Sequence, residues 1–235
     1  MTNNENISLL KQAINYLNNK EYTLAIVAFT EALQKDDYDS KIHYYLAICY
    51  SNLKYYKEAL EEIELAFKED IEYVVKLQLL LLKGYINFIL ENDDIALQTF
   101  QQVTEFEKNN KIALSGIGYY YFKKNDYKKA LEYYELAYKT APENSNAMNN
   151  YGYLLMMNNQ SIEKAMELCN QALKKQPNNP NILDSVAWGH YLLNNIKAAT
   201  LAITKAINFG GAIDEIKNHY SEISKKVREL LSSKK

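Results

Sequence analysis

Small residues recur along this chain at an almost constant interval, and this repeat limits the folds available to it more than any other feature. Alanine occupies six positions separated by 34, 37, 34, 35 and 34 residues. A period of about 20 to 50 residues is typical of chains built from stacked supersecondary units. The columns are Ala25, Ala59, Ala96, Ala130, Ala165 and Ala199, then Ala32, Ala66, Val103, Ala137, Ala172 and Ala206 seven residues later, and Ala13, Ala47, Gly84, Gly118, Gly152 and Ala187 twelve or thirteen residues earlier.

Each unit is predicted to contain two α-helices joined by a short turn. Apolar residues recur at intervals of three and four, as in Leu131, Tyr134 and Ala137, which is the helical pattern. Asn-rich segments such as the one at Asn125 separate the two helices, and Asn tolerates turn conformations. Only 7 Gly and 3 Pro occur in 235 residues, which disfavours a Gly-rich nucleotide loop, a β-sandwich and a long disordered tail.

Counted in units that start at Asn6, Ser40, Leu77, Lys111, Ser145 and Pro180, the pattern resembles the tetratricopeptide repeat (TPR) family. That family has a small residue at position 8, Ala at 20 and 27, and an aromatic or aliphatic residue at 24. The family's Pro at position 32 is present only in units four and five, and its Trp at position 4 is missing. The resemblance implies an all-α fold, a right-handed superhelical solenoid of antiparallel helix pairs with a concave inner groove.

The repeat register predicts the organisation of the chain. We expect an N-terminal lead-in at 1–5, six repeats at 6–39, 40–73, 77–110, 111–144, 145–179 and 180–213, a three-residue insertion at 74–76, a capping helix at 214–231 and a basic tail at 232–235. The insertion predicts either longer flanking helices or a short linker. It coincides with a change from 7 Lys and 13 acidic residues in 1–73 to 20 basic and 16 acidic residues in 74–235, so a weak subdomain boundary at residue 73 is a hypothesis.

The segment from Asp214 onward leaves the repeat pattern but keeps an apolar stripe. A solenoid needs a terminal cap with a polar outer face, and we expect this helix to supply it. The stripe is Ile216, Tyr220, Ile223, Val227 and Leu230.

Charge and composition exclude several classes of function. The net charge is -2, and 26 of the 27 basic residues are Lys, which disfavours nucleic-acid binding because phosphate contacts need a basic surface rich in Arg. Cys49 and Cys169 are too few for a disulfide framework. The N-terminus shows no secretory signal pattern and no membrane span is apparent, so we expect a cytoplasmic protein without membrane insertion.

No pattern typical of a catalytic or metal site is present. The chain has no HExxH, P-loop, GxSxG or EF-hand motif, and His43, His190 and His219 lack metal-ligand spacing. Asp184, Ser185 and His190 are residue types of a catalytic triad, but on one helix they point in different directions. We therefore expect no enzyme activity, no cofactor and no metal.

Positions 2, 5, 9 and 12 of the first helix in each unit share one face, which in the resembled family lines the concave groove. This face is rich in rings from the middle of the chain onward, with amide and carboxylate groups beside them. The predicted groove residues are Tyr44, Tyr85, Phe88, Tyr119, Phe122, Asn146, Asn149, Asn150, Tyr153, Met156, Asp184, Trp188 and Tyr191. These rings either bind a partner or only pack between adjacent first helices.

The leading hypothesis is a non-catalytic scaffold or adaptor that binds an extended or helical peptide segment of another protein in this groove, since aromatic side chains anchor interfaces. The carboxylate clamp known in some TPR domains is disfavoured, because Ser115 and Tyr119 stand where the clamp needs Lys and Asn. The alternatives are a self-associating homo-oligomer and a binder of small molecules or single-stranded nucleic acid.

Overall fold

In a computed structural model, the chain forms thirteen α-helices and no strand over the described residues, which are 2–34, 40–68, 71–210 and 214–232, with side chains from Ser8 onward. The predicted all-α class of antiparallel helix pairs is confirmed. The chain divides into two compact units, Met1–Lys108 (the N-terminal unit) and Asn109–Lys235 (the C-terminal unit). The hypothesis of a boundary at residue 73 is therefore wrong: Leu79 and Ile86 share a core cluster with Ala59 and Ile63 across that point.

Consecutive helices pack as hairpins in both units. The N-terminal unit contains α1 (Thr2–Asn18), α2 (Tyr22–Leu33), α3 (Ser40–Asn52), α4 (Tyr56–Ala66), α5 (Tyr73–Ile89) and α6 (Asp93–Phe106). The C-terminal unit contains α7 (Lys111–Lys123), α8 (Tyr127–Thr140), α9 (Ser145–Met157), α10 (Ile162–Lys175), α11 (Pro180–Leu192), α12 (Ile196–Asn208) and α13 (Asp214–Ser232).

The small residues of the repeat lie where the two helices of a pair cross. Ala25, Ala59, Ala130 and Ala165 are fully buried. A Cβ atom built on Gly152 would lie 2.9 Å from the carbonyl oxygen of Ala165, which is too close for a side chain. The periodicity of small residues therefore records the close approach of two helix backbones in each repeat.

The residues inserted at 74–76 lengthen a helix. α5 begins at Tyr73 and has 17 residues, whereas α3, α7, α9 and α11 each have 13. The Tyr73 ring packs edge-on against Phe106, with 6.2 Å between ring centroids, so the added turn is anchored to α6. Of the two alternatives for the insertion, the helical one holds.

Two predicted segments differ from the structure or lie beyond it. α1 begins at Thr2, so the predicted lead-in at 1–5 is helical from that residue. Within the basic tail predicted at 232–235, residues 233–235 lie outside the described residues. Cys49 and Cys169 are buried and free, as small apolar core residues, and burial raises the pKa of each thiol to about 12.

Candidate functional site

The first helices of the C-terminal unit lie side by side, because α9 contacts both α7 and α11. Their shared face opens into a pocket of about 230 Å³, called here the first-helix pocket. Its lining mixes aromatic rings, amides, hydroxyls and carboxylates. The lining residues are Ser115, Tyr119, Phe122, Tyr134, Asn149, Asn150, Tyr153, Leu154, Asn181, Asp184, Ser185 and Glu215.

The rings of the pocket differ in accessibility. Tyr119 is 42% exposed, whereas Tyr153 and Tyr134 are buried. The Phe122 ring packs against the rings of Tyr119 and Tyr153, with centroid distances of 6.4 Å and 6.0 Å. Tyr119 is therefore the ring with the largest surface available to a ligand, and Phe122 and Tyr153 continue the aromatic wall inward.

Asn149 lies in this pocket and is 6% exposed. Within the described part of the chain its Oδ1 atom has no hydrogen-bond partner, and it is the one buried side-chain oxygen or nitrogen in that condition. An unsatisfied buried acceptor costs about 1–3 kcal/mol. Because this oxygen is itself buried, a ligand donor reaches it only when the Asn149 side chain turns toward the pocket that the residue lines.

Helix α13 contributes the far wall of the pocket. The Tyr153 hydroxyl donates to Glu215 Oε1 at 2.6 Å. Burial raises the pKa of Tyr153 well above its usual range, and the Glu215 carboxyl raises it further, so the phenol keeps its proton and remains a donor. Burial likewise raises the pKa of Tyr134, and the nearby Tyr119 and Glu215 side chains raise it further.

A second contact with α13 lies one helical turn further along. His219 Nδ1 donates to the Asp184 carboxylate, 2.9 Å from each oxygen, and both residues are buried. The imidazole also stacks on Trp188, with ring centroids 4.2 Å apart. Trp188 in turn stacks on Tyr191 at 5.1 Å. This cluster holds α13 against α11.

Six of the thirteen predicted groove residues line the first-helix pocket: Tyr119, Phe122, Asn149, Asn150, Tyr153 and Asp184. Asn146 is exposed on α9, and Trp188 and Tyr191 are half-buried beside the pocket in the α13 contact. Met156 is 1% exposed and packs in the core of the C-terminal unit. It lies on the predicted face but its side chain is inaccessible, because α11 approaches closely at Gly189.

The three remaining predicted residues lie in the N-terminal unit. Tyr85 is 55% exposed. The Tyr44 hydroxyl donates to Gln78 Oε1 at 2.6 Å, and Phe88 stacks on Phe100 at 5.6 Å. Tyr44 therefore contacts the next first helix, α5, as the alternative interpretation of the rings expected. Phe88 instead packs on α6, the second helix of its own hairpin, while Tyr85 presents its ring to solvent.

Sequence reasoning missed the contribution of α13 and of Tyr134. The predicted apolar stripe places Tyr220 and Leu230 in the buried face, but they are 46% and 43% exposed. The buried residues are Ile216, His219 and Ile223. These three residues are spaced by three and four positions, as on one face of a helix. His219 is absent from the predicted stripe because it is polar. Its partner Asp184 lies 35 residues away, so no local pattern indicated that the imidazole would be buried.

Among the described residues, no three His, Cys, Asp or Glu side chains come close enough to hold a metal ion. In the same part of the chain, none of the helices combines the length and apolarity needed to cross a bilayer. The pocket offers rings, hydrogen-bond acceptors and carboxylates.

Several known proteins are similar to this chain in sequence. The archaeal TPR repeat-containing protein MJ1428 of Methanocaldococcus jannaschii is 23% identical over 94% of this chain and 43% of its own length. BBSome complex member BBS4 of Bos taurus is 27% identical over 48% of this chain and 21% of its own. The chain thus spans less than half the length of these relatives.

Solved structures share the fold at low identity. The APC/C hetero-tetramer Cut9-Hcn1 aligns with a TM-score of 0.77 at 15% identity, covering 93% of this chain and 42% of that one. The Pseudomonas aeruginosa pilF protein aligns with a TM-score of 0.71 at 15% identity, covering 94% and 99%. YrrB aligns with a TM-score of 0.55 at 23% identity, covering 74% and 88%.

A family model covers most of the chain. It is described as the tetratricopeptide repeat protein 21 C-terminal ARM domain, and it matches residues 2–188. That range contains five complete helix hairpins and α11 up to Trp188. The chain belongs to this family, and its helix pairs are repeats of the TPR type.

Proposed function

We propose that this chain is a non-catalytic scaffold that binds a peptide segment of a partner protein on the first-helix face of its C-terminal unit. The observation that carries the proposal is the first-helix pocket, which is lined by an exposed ring, Tyr119, and by the side-chain amides of Asn149 and Asn150. Aromatic rings give large contact area at low entropic cost. Side-chain amides pair with both donors and acceptors of a peptide backbone.

The fold supports a binding role more than a catalytic one. Repeat solenoids present extended surfaces that are used for recognition. YrrB is a TPR protein with an unusual peptide-binding site, so a chain of similar fold can carry such a site. BBS4 is a BBSome complex member, and another relative is an Hsp70-Hsp90 organizing protein of Arabidopsis thaliana. A cytoplasmic location stays a prediction.

A random dodecamer peptide library on phage tests the proposal directly. We expect the wild-type protein to enrich specific peptides. Tyr119→Ala should weaken their affinity about tenfold, which corresponds to about 1.4 kcal/mol, because aromatic rings are frequent hot spots of binding. Affinities are measured by fluorescence anisotropy with labelled copies of the enriched peptides.

Tyr220→Ala is the matched control for that experiment. Tyr220 is in the same unit and is 46% exposed, close to the 42% of Tyr119, but it is not among the residues that line the pocket. We expect this variant to bind as the wild type does. Equal losses in the two variants, or no enrichment of any peptide by the wild type, would contradict the proposal.

Self-association is a second candidate, favoured by a separate observation. α12 and α13 form an apolar groove of about 410 Å³ lined mainly by aliphatic side chains, with Leu201 59% and Leu231 64% exposed. Exposed apolar patches mark interaction sites, and a second copy of the chain is the occupant that this candidate requires. Sedimentation velocity at increasing concentration decides it: a monomer at every concentration excludes the candidate, and Leu201→Lys should abolish any dimer.

A further inference from the structure

We propose that the first-helix pocket selects a positively charged side chain, lysine or arginine, from the bound peptide. This inference rests on the proposed function and specifies the chemistry of the same site. It begins with the charges that line the pocket. Among the described residues that line it, the charged side chains are the carboxylates of Asp184 and Glu215, without a lysine or arginine. The pocket is therefore locally acidic.

The local charge is opposite to that of the unit. The C-terminal unit contains 17 Lys and Arg against 11 Asp and Glu, a net charge of +6. Charges separated by more than about 8–10 Å are largely screened at physiological salt. The carboxylates that line the pocket therefore act on a ligand group there more strongly than charges of the unit that lie beyond this distance.

The two carboxylates are not equally available. Both oxygens of Asp184 lie 2.9 Å from His219 Nδ1, so this carboxylate is already engaged. Glu215 accepts one hydrogen bond from the described residues, that of the Tyr153 hydroxyl to Oε1. A carboxylate has about four acceptor sites, and Glu215 is half-buried at the pocket wall. Glu215 is thus the group that would pair with a ligand cation.

The unpaired acceptor favours the same kind of ligand. Asn149 Oδ1 is buried, and no donor in the described part of the chain bonds to it. A lysine ammonium has three donors and no acceptor, and an arginine guanidinium has five. Such a group supplies donors to the acceptors of the pocket, whereas a carboxylate on the ligand supplies none and would face two like charges.

The aromatic wall suits a basic side chain as well. Tyr119, Phe122 and Tyr153 line the pocket with their rings. The aliphatic stem of lysine or arginine packs on apolar surface while its head group reaches a polar partner, and a cation within about 6 Å of a ring centroid is attracted to the ring face. Rings, acceptor and carboxylate thus converge on one ligand chemistry.

The dodecamer library supplies the test. We expect lysine or arginine at one position of the enriched peptides. Replacing that residue by norleucine, which keeps the stem and removes the charge, should weaken binding to the wild type about tenfold, because charge-assisted hydrogen bonds are the strong ones. In Glu215→Gln the lysine and norleucine peptides should bind with nearly equal affinity, since the carboxylate is gone and the shape remains.

Glu222→Gln is the control variant, because Glu222 is exposed on the same helix and is not among the pocket-lining residues. It should keep the full preference for lysine. The inference is overturned if the norleucine peptide binds the wild type as tightly as the lysine peptide, or if Glu215→Gln keeps the preference. In both cases peptides are still enriched, so the proposed function stands. The absence of any enriched peptide, or equal losses of affinity in Tyr119→Ala and Tyr220→Ala, removes both.

Discussion

A residue at positive φ lies in the turn of every helix hairpin. In the C-terminal unit these residues are Asn125, Asn159 and Asn194, with φ of 59°, 52° and 57°. Asn tolerates this left-handed conformation because its side chain can hydrogen-bond locally. In the N-terminal unit the same conformation is adopted by Lys20, Lys54 and Glu91, with φ of 62°, 65° and 60°. Those three turns carry strain that the Asn turns largely avoid.

Lys54→Gly should stabilise the protein for this reason. Gly adopts positive φ without a steric penalty, so we expect the free energy of unfolding to rise by about 0.5–1 kcal/mol. Equilibrium urea denaturation followed by circular dichroism measures the change. Asn125→Gly is the control and should change stability by a smaller amount; an equal gain at both sites, or a loss at residue 54, would contradict the strain argument.

At the scale of the element, α13 is a terminal helix with a polar contact at its centre. Its buried face consists of Ile216, His219 and Ile223, and it packs on α12 and α11. The predicted role of a terminal cap is consistent with this packing, but the helix also carries Glu215 into the first-helix pocket. The same helix therefore closes the hydrophobic core of the last repeat and completes the candidate binding site.

Ile223→Ala should loosen α13 and report the change through the chain's single Trp. Ile223 is 1% exposed, so its truncation costs about 2–5 kcal/mol. Trp188 stacks on His219 at 4.2 Å, and undocking of α13 exposes the indole to water. We expect a red shift of tryptophan fluorescence and faster amide hydrogen exchange over 214–232.

Leu231→Ala is the matched control, since Leu231 lies on the same helix and is 64% exposed. The tryptophan fluorescence of this variant should match that of the wild type. A red shift of the same size in both variants would show that Trp188 does not report the docking of α13.

At the scale of the whole molecule, each compact unit has its own hydrophobic clusters. One pair of clusters lies between Leu9 and Leu90, and three others lie between Tyr121 and Ile223. The units also differ in charge. The N-terminal unit has 10 basic and 18 acidic residues, a net charge of -8, against +6 for the C-terminal unit.

A fragment consisting of residues 109–235 should fold alone. It retains all the residues of its three clusters, and a compact unit with its own core is able to fold independently. We expect helical circular dichroism and a cooperative urea transition. A shorter fragment, 145–235, loses Ala130 and Tyr134 from the largest of these clusters and should be less stable. A disordered 109–235 fragment would contradict the prediction.

The sequence by itself determined the helix hairpin and its repetition. Small residues recur at a spacing of 34 to 37 residues because two helices joined by a short turn cross closely in each unit. Both sides of that contact therefore lie within one unit. The face of Tyr119, Asn149 and Asp184 follows from the same register, because helical periodicity places those positions on one side.

Only the tertiary structure decided what covers that face and which of its members are accessible. An apolar stripe on α13 indicates that one side is buried, but not against which surface. The contacts of Glu215 with Tyr153 and of His219 with Asp184 join residues 62 and 35 positions apart. No periodicity encodes such pairs, because they depend on how the last helix docks on the stacked repeats. The acidic wall of the pocket is a product of that docking, because Glu215 reaches the pocket only through α13.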